Sequence, residues 1–204
     1  MIEAVIFDLG NVLVYFDYTP AAKRMAYFCD KSPEEIVGLF FDAKVTQEFE
    51  EGRISAQDFF LNIKKMLNLN LKYEAFVPIW NEVFFLSAKN RAVFALANRL
   101  RNNYKTILLS NTNILHYEYL KKNFPVFNVF HHVLTSCEVG YAKPRQEIYQ
   151  KTLEVLGIPP ENVFYTDDRA ELVESATKLG IKSFLFTSVE QLKKDLVDSG
   201  VNII

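Results

Sequence analysis

The segment that decides the fold is Ala4-Val5-Ile6-Phe7-Asp8-Leu9-Gly10, an apolar run that ends on a carboxylate and a glycine. Four later runs are equally short and almost continuously apolar, as parallel strands are when helices cover both faces of their sheet. The five predicted strands are Ala4 to Phe7, Thr106 to Leu109, His132 to Thr135, Val163 to Tyr165 and Ser183 to Phe186.

Helical patterns lie between the later strands. Ser87 is a predicted N-cap, Gln146 to Leu156 and Ala170 to Leu179 have helical periodicity, and Ser188 with Gln191 is a predicted capping box. Strands that alternate with helices imply right-handed crossovers. The expected fold class is therefore α/β, with a doubly wound, Rossmann-like parallel sheet.

The stretch from about Tyr18 to Leu86 carries helix signals and no convincing strand. Ser32-Pro33-Glu34-Glu35 is typical of a capped helix start, and Ser55 opens a further helix. A third apolar stripe contains Pro78, which we expect only in the first turn of a helix. The predicted organisation is an α/β core of residues 1–16 and 87–204 with a helical cap of residues 17–86.

Composition favours a soluble cytoplasmic protein that acts on a small molecule. Half of the 204 residues are hydrophobic, and the net charge of −2 comes from interspersed charges of both signs. We therefore expect no nucleic-acid or membrane partner, and a monomer. Cys29 and Cys137 lie far apart without a metal-binding spacing, so a reducing compartment is expected. The first residues resemble a strand and not a secretion signal.

Four polar clusters follow predicted strands and share one expected location. Asp8, Ser110-Asn111-Thr112 and Asp167-Asp168 come directly after strands, and Lys143 lies between the third strand and its helix. Ligands of open α/β sheets bind beyond the carboxyl ends of the strands. The four clusters are therefore predicted to meet at one edge of the sheet.

The residue types in these clusters suit phosphoryl transfer. Carboxylates at two strand ends form a hard oxygen site for Mg²⁺, and a lysine opposite them keeps a nucleophilic carboxylate ionised. A hydroxyl, an amide and backbone N–H groups can hold phosphoryl oxygens. A carboxylate nucleophile divides the reaction into an aspartyl-phosphate step and a hydrolysis step.

The same clusters resemble the four motifs of the haloacid dehalogenase (HAD) superfamily in order and spacing. They are Phe7 to Leu13, Leu109 to Asn113, Lys143-Pro144 and Asp167-Asp168. Within the superfamily, Glu51 to Ser55 and Ser110 to His116 resemble the branch that holds bacterial α-glucose-1-phosphate phosphatase and the phosphatase domain of soluble epoxide hydrolase.

The resemblance implies a role for each matching residue. Asp8 would be the nucleophile, and Asp167 would hold a metal-bound water. The implied Mg²⁺ ligands are Asp8, the Gly10 carbonyl and Asp168. Ser110 and Lys143 would contact phosphate and assist catalysis. The full predicted phosphate-binding set is Leu9, Gly10, Ser110, Asn111 and Lys143.

The sequence departs from the family pattern at two positions. Gly10 stands where most family phosphatases carry an Asp that acts as general acid and base, a function typically worth about 10²–10⁴ in rate. Three interpretations stay open. The first is a phosphatase whose substrate, such as an anomeric sugar phosphate or an acyl phosphate, has a leaving group that departs with little protonation. The second is a metal-independent 2-haloacid dehalogenase, and the third is a weak phosphate-binding protein. Leu172 replaces a polar residue and is interpreted as part of a helix core.

Residues near the predicted cleft are weaker candidates for shaping the substrate pocket. His116 is expected to be solvated or to cap a helix, and Cys137 to be a buried or half-buried structural residue. The candidates for the pocket wall are Phe16, Asp17, Phe49, Arg53 and Trp80.

Overall fold

A computed structural model describes residues 1–42 and 44–203 of the protein. The strands are β1 (Ala4–Phe7), β2 (Tyr15–Phe16), β3 (Phe84–Phe85), β4 (Lys105–Ser110), β5 (His132–Thr135), β6 (Val163–Asp167) and β7 (Lys182–Leu185). The helices are α1 (Thr19–Met25), α2 (Pro33–Asp42), α3 (Lys44–Glu50), α4 (Ala56–Leu67), α5 (Tyr73–Asn81), α6 (Ala88–Leu100), α7 (Ile114–Asn123), α8 (Ser136–Val139), α9 (Gln146–Leu156), α10 (Ala170–Thr177) and α11 (Val189–Asp198).

Five parallel strands form one sheet in the order β5-β4-β1-β6-β7, which confirms the predicted α/β fold class. The predicted strands match the observed ones within one or two residues at each end. Strand β1 is central and alternates its side chains between two apolar layers. Val5 and Phe7 pack with helices α6 and α11, whereas Ala4 and Ile6 pack with α9 and α10. Burial on both faces explains why the strand is apolar at every position.

Helices α1 to α5, which we call the helical layer, bury an apolar cluster of their own. The cluster is rich in aromatic side chains, including Phe40, Phe49, Phe59, Phe76 and Trp80, all at most 2% exposed. Full burial of one such side chain is worth roughly 1.5–3 kcal/mol, so the layer has a substantial core. The boundaries proposed at residues 17 and 86 stay a prediction. Among residues 1–42 and 44–203, no helix has the length and apolar character needed to cross a membrane.

Two short strands join the helical layer to the sheet, and the sequence did not predict them. Tyr15 pairs with Phe85 and Phe16 with Phe84 in an antiparallel ladder. The expectation of no strand between Tyr18 and Leu86 is therefore wrong at β3. Two residues are too few to give the alternating pattern by which a strand is recognised.

Three expectations about helices have different outcomes. The capped starts at Ser32 and Ser55 are confirmed by hydrogen bonds from the backbone N–H groups three residues later. The expectation for Pro78 is wrong, since it lies inside α5; the packing of that helix offsets the lost backbone hydrogen bond. At Ser188, one of the two hydrogen bonds of a capping box forms: the Gln191 N–H donates to Ser188 Oγ. The Gln191 side chain donates to Asp195 instead of completing the box.

Candidate active site

A cavity of about 330 Å³ lies between the carboxyl edge of the sheet and the helical layer. Strand β1 lies between β4 and β6, so residues at the ends of these three strands become neighbours. The backbone N–H of Asp8, for example, donates to the carbonyl of Thr166 at 3.0 Å. All the predicted site residues line this cavity: Asp8, Leu9, Gly10, Ser110, Asn111, Lys143, Asp167 and Asp168.

Lys143 joins two of the carboxylates at the floor of the cavity. Its Nζ lies 2.6 Å from Oδ1 of Asp8 and 2.6 Å from Oδ2 of Asp167, and it also donates to the Leu109 carbonyl at 3.1 Å. The Lys143 side chain is only 1% exposed. The Tyr165 hydroxyl donates to Asp167 as well. These contacts fix Lys143 and leave Oδ2 of Asp8 without a contact to the ammonium.

The charges in this cluster do not balance. The pKa of Asp8 is raised to about 7, chiefly by burial and also by the carboxylates of Asp167 and Asp168, while Lys143 acts in the opposite direction. Burial also raises the pKa of Asp168. One ammonium therefore faces three carboxyl groups, and a further positive charge would favour their ionised forms.

The same three carboxyl groups fit a divalent cation. Asp8, Asp167 and Asp168 each offer an oxygen, and these oxygens lie within 4.8 Å of one another. Asn11 orients Asp168 through a 2.8 Å hydrogen bond. The Gly10 carbonyl accepts one hydrogen bond, from Val12, and its second lone pair is available for a ligand. A cluster of hard oxygen donors with surplus negative charge suits Mg²⁺.

The loop after β4 is tied to the segment that carries Lys143. Asn111 and Lys143 exchange two hydrogen bonds of 2.8 Å between the Asn111 amide and the Lys143 backbone. The backbone N–H of Thr112 donates to Ser136 Oγ at 2.9 Å. Asn111 thereby uses one side-chain donor and its acceptor to position Lys143. Ser110 is 3% exposed, and its hydroxyl donates to the neighbouring Asn111 carbonyl at 3.3 Å.

Gly10 lacks a side chain, and the space that a side chain would need is already filled. A Cβ built on Gly10 would lie 2.9 Å from Cε1 of Phe16 and 3.8 Å from Oδ2 of Asp8. Phe16 is held in β2 by its pairing with Phe84 and packs edge-on against Tyr18. The position from which a neighbouring Asp would act is thus occupied by an aromatic ring.

Of the five weaker candidates for the pocket wall, only Phe16 lines the cavity. Asp17 accepts a 2.8 Å hydrogen bond from the N–H of Thr19, the first residue of α1. Phe49 and Trp80 are buried in the helical layer. Arg53 pairs with the buried Glu51 at 2.8 Å. These four expectations are wrong because sequence proximity to the cleft did not reveal which way each side chain points.

His116 lies in the cavity wall and is neither solvated nor a helix cap. Its ring stacks on Trp80 and contacts the Trp80 carbonyl at 3.0 Å and the Asn113 amide at 3.1 Å. Burial lowers the pKa of His116 to about 4, so the ring is neutral at pH 7. Leu172 is 2% exposed, as expected of a core leucine, and it also reaches the cavity. Cys137 is half-buried, as expected.

The side of the cavity formed by the helical layer carries polar residues that the sequence did not single out. They are Tyr18, Thr46, Gln47 and Glu50, with Arg169 beside them after β6. Thr46, Gln47 and Glu50 lie on the same helix as Phe49, and this spacing alone is too weak a signal to assign them to a site.

Comparison with known proteins identifies the family. A sequence profile of haloacid dehalogenase-like hydrolases matches residues 2–180. D-ribitol-5-phosphate phosphatase of Bacteroides thetaiotaomicron is 24% identical over 190 residues, which cover 90% of this chain and 91% of that protein. A phosphatase of Mycobacterium tuberculosis is 26% identical over 201 residues, covering 96% and 92% of the two chains.

A solved structure has the same fold. An HAD-family enzyme of Bacteroides thetaiotaomicron, in complex with magnesium and inorganic phosphate, superimposes with a TM-score of 0.80 at 27% identity and covers 93% of this chain and 96% of its own. The family profile spans most of the sheet, the helical layer and all four strand-end clusters. This chain belongs to the haloacid dehalogenase-like hydrolases.

Proposed function

We propose that this hydrolase is a Mg²⁺-dependent phosphatase that cleaves a small phosphate monoester, with sugar phosphates as the substrate class. The observation that carries the proposal is the cluster at the cavity floor, in which a buried lysine holds Asp8 beside two further carboxyl groups. A haloacid dehalogenase that works without metal needs no such cluster of three. The phosphatases among its relatives, and the magnesium and phosphate bound to a relative of the same fold, support this choice.

In the proposed reaction, Asp8 attacks phosphorus and forms an aspartyl phosphate, which water then hydrolyses. Lys143 and Ser110 contact the phosphoryl oxygens, together with the backbone at Leu9 and Gly10. Asp167 holds Lys143 in place through their 2.6 Å ion pair. Asn111 acts by positioning the Lys143 backbone, and its free amide hydrogen is left for phosphate.

The metal would be held by Asp8, the Gly10 carbonyl and Asp168. When bound, Mg²⁺ would neutralise charge between the Asp8 carboxylate and the phosphoryl oxygens. The surplus of carboxyl groups over ammonium groups in the cluster supports this assignment.

The helical layer would act as a cap of residues 17–86 that closes over the substrate and excludes water. A cavity of about 330 Å³ suits a small molecule. Thr46, Gln47 and Glu50 offer polar groups to it, and the buried Thr46 hydroxyl has no hydrogen-bond partner in the part of the chain that the structure describes. Such a wall suits the hydroxyl groups of a sugar. From the sequence alone, we further propose a monomeric cytoplasmic enzyme.

An assay with 4-nitrophenyl phosphate tests this function. We expect turnover in Mg²⁺ that a chelator abolishes and that Asp8→Asn lacks, while Asp8→Asn still unfolds cooperatively. Turnover of a 2-chloroacid that is insensitive to the chelator would identify a dehalogenase instead. Phosphate binding without turnover of either substrate would identify a binding protein.

A further inference from the structure

The proposed reaction needs a proton for the leaving oxygen, and Gly10 cannot supply it. Phe16 fills the space beside Gly10, so the donor must enter the cavity from another element. Most ionisable groups of the cavity are already engaged. Lys143 joins Asp8 to Asp167, and Asn11 binds Asp168. His116 uses both ring nitrogens and is buried as the neutral form.

Among the described residues that line the cavity, Glu50 is the remaining carboxyl group. It is the last residue of α3, and no side chain within the described ranges donates a hydrogen bond to its carboxyl group. Arg169 faces it and pairs with Glu171. Glu50 therefore presents an available acid from the helical layer, opposite the cluster that contains Asp8.

The backbone of Glu50 is hydrogen-bonded to the core beside the loop after β4, which carries the predicted phosphate-binding residues Ser110 and Asn111. Its carbonyl accepts a 2.6 Å hydrogen bond from Ser136 Oγ, which also accepts from the Thr112 N–H at 2.9 Å. One hydroxyl thus links Glu50 to the loop that begins at Ser110. This link determines where the Glu50 side chain enters the cavity.

The next two residues extend the same contact. Glu51 Oε1 lies 3.4 Å from the Ala142 N–H, next to Lys143. Gly52 has φ +66° and approaches so closely that a Cβ there would lie 2.3 Å from the Cys137 carbonyl oxygen. Three consecutive residues, Glu50 at the end of α3 and the two that follow it, therefore contact the segment 136–142. These contacts fix the position of Glu50 relative to the sheet.

The electrostatic surroundings of Glu50 suit proton transfer near neutral pH. The pKa of Glu50 is raised to about 7, chiefly by burial and also by the nearby Glu51 carboxylate, while Arg169 acts in the opposite direction. Tyr18 also faces Glu50, and burial together with the Glu50 charge raises the pKa of the Tyr18 hydroxyl well above its usual range. An acid whose pKa is close to the working pH can both donate and accept a proton efficiently.

We propose that Glu50 is the general acid and base that replaces the missing side chain at position 10. This role rests on the proposed phosphatase reaction. As Asp8 attacks phosphorus, the bond to the leaving oxygen breaks with its electron pair, and that oxygen takes the Glu50 proton. In the second step water attacks phosphorus and gives a proton to Glu50. The bond between phosphorus and the Asp8 oxygen breaks, and its electron pair returns to the Asp8 carboxylate. The products are the alcohol and phosphate, and Glu50 ends protonated.

A leaving-group series with Glu50→Gln tests the proposal, with Glu48→Gln as the matched control. Glu48 lies on the same helix and pairs with Lys44, and it does not line the cavity. kcat/KM is measured because it reports the step in which the leaving group departs. For Glu50→Gln we expect a loss of about 10²–10⁴ with alkyl phosphates and a much smaller loss with 4-nitrophenyl phosphate. The fall of kcat/KM above about pH 7 should disappear for the alkyl substrates.

Glu50→Asp keeps an acid and should recover part of the loss with alkyl phosphates. If Glu50→Gln fails to fold, Glu50→Asp serves as the second variant. Its kcat/KM should then depend more steeply on the leaving group than that of the wild type. Equal losses for all leaving groups, or an unchanged pH profile, would overturn the role of Glu50 while leaving the phosphatase intact. No metal-dependent turnover in the wild type would overturn both proposals.

Discussion

The ring of Phe16 occupies the space beside Gly10, where a built Cβ would lie 2.9 Å from its Cε1 atom. The glycine at this position and the aromatic residue of β2 therefore form one packed unit. The absence of a side chain at position 10 is built into the packing between the sheet and the helical layer. A lost acid cannot simply be restored there by one substitution.

Gly10→Ala should destabilise the protein, because Phe16 has to move out of the way. We expect a cost of roughly 1–3 kcal/mol in the free energy of unfolding, as for other overpacked sites. The matched control is Gly38→Ala, in the exposed part of α2, where a Cβ meets nothing within 4 Å. That change should stabilise the protein by about 0.4–1 kcal/mol. Urea unfolding of both variants would contradict the account if Gly10→Ala were the milder change.

Gly10→Asp tests the same packing through activity. We expect the single variant to gain little turnover of alkyl phosphates, whereas Gly10→Asp combined with Phe16→Ala should gain more, because the carboxyl group then has room. kcat/KM for an alkyl and an aryl phosphate measures the effect. A gain that is equal for the two substrates would show that the added carboxyl group does not protonate the leaving group.

Gly52→Ala should weaken the contact between the helical layer and the segment 136–142. Two effects destabilise this variant: a positive φ at an alanine, and the close approach of the new Cβ to the Cys137 carbonyl. Gly157→Ala has a similar φ of +63°, but the space around it is open. The positive φ alone costs about 1–2 kcal/mol. In urea unfolding, the free energy of unfolding should therefore fall clearly more for Gly52→Ala than for Gly157→Ala. Equal losses would mean that the close approach does not exist.

Lys143→Met should slow the reaction by about 10²–10³ in kcat, the typical effect of removing one group that stabilises transition-state charge. The pKa of Asp8 should also rise, because Lys143 is the group that lowers it. The ionised nucleophile then forms only at higher pH, so the acidic limb of the kcat/KM profile should move upward. Lys151→Met, which breaks an exposed pair with Glu154, is the control and should leave kcat unchanged. An unshifted profile would contradict the contact with Asp8.

Protonation of His116 should destabilise the fold. Its pKa is lowered from 6.5 to about 4 by burial, so the unfolded chain binds the proton more readily. The stability that comes from keeping His116 neutral is fully present above pH 6.5 and is lost as the pH falls from 6.5 through 4. The free energy of unfolding should decrease by up to roughly 3 kcal/mol over this range. His116→Phe keeps a ring against Trp80 and should lack this pH dependence, whereas His132→Gln at an exposed position should keep it. Urea unfolding at several pH values would reveal the difference.

The sequence predicts the sheet and the cluster of strand-end residues well, because both depend on local patterns. A strand buried on two faces is apolar throughout, and the residue after it lies at the carboxyl edge wherever the rest of the chain goes. Asp8, Ser110 and Asp167 could therefore be placed together before any contact was known.

Features that depend on tertiary contacts could not be predicted in this way. Glu50 reaches the cavity because Ser136, which is 86 positions away in sequence, binds its carbonyl. The ring of Phe16 lies beside Gly10 because β2 pairs with β3, and strands of two residues leave no pattern. Asp17 and Arg53 were predicted to lie in the pocket wall, but each binds a residue close to it in the sequence instead.

The central claim is that Asp8 carries the phosphoryl group during turnover, and trapping tests it directly. Wild-type protein turning over 4-nitrophenyl phosphate in Mg²⁺ is quenched with acid, reduced with borohydride and digested for peptide mass spectrometry. The account predicts conversion of Asp8 to homoserine, as expected of an acyl phosphate, and no conversion without substrate. Turnover with unmodified Asp8, or with phosphate on another residue, would contradict it.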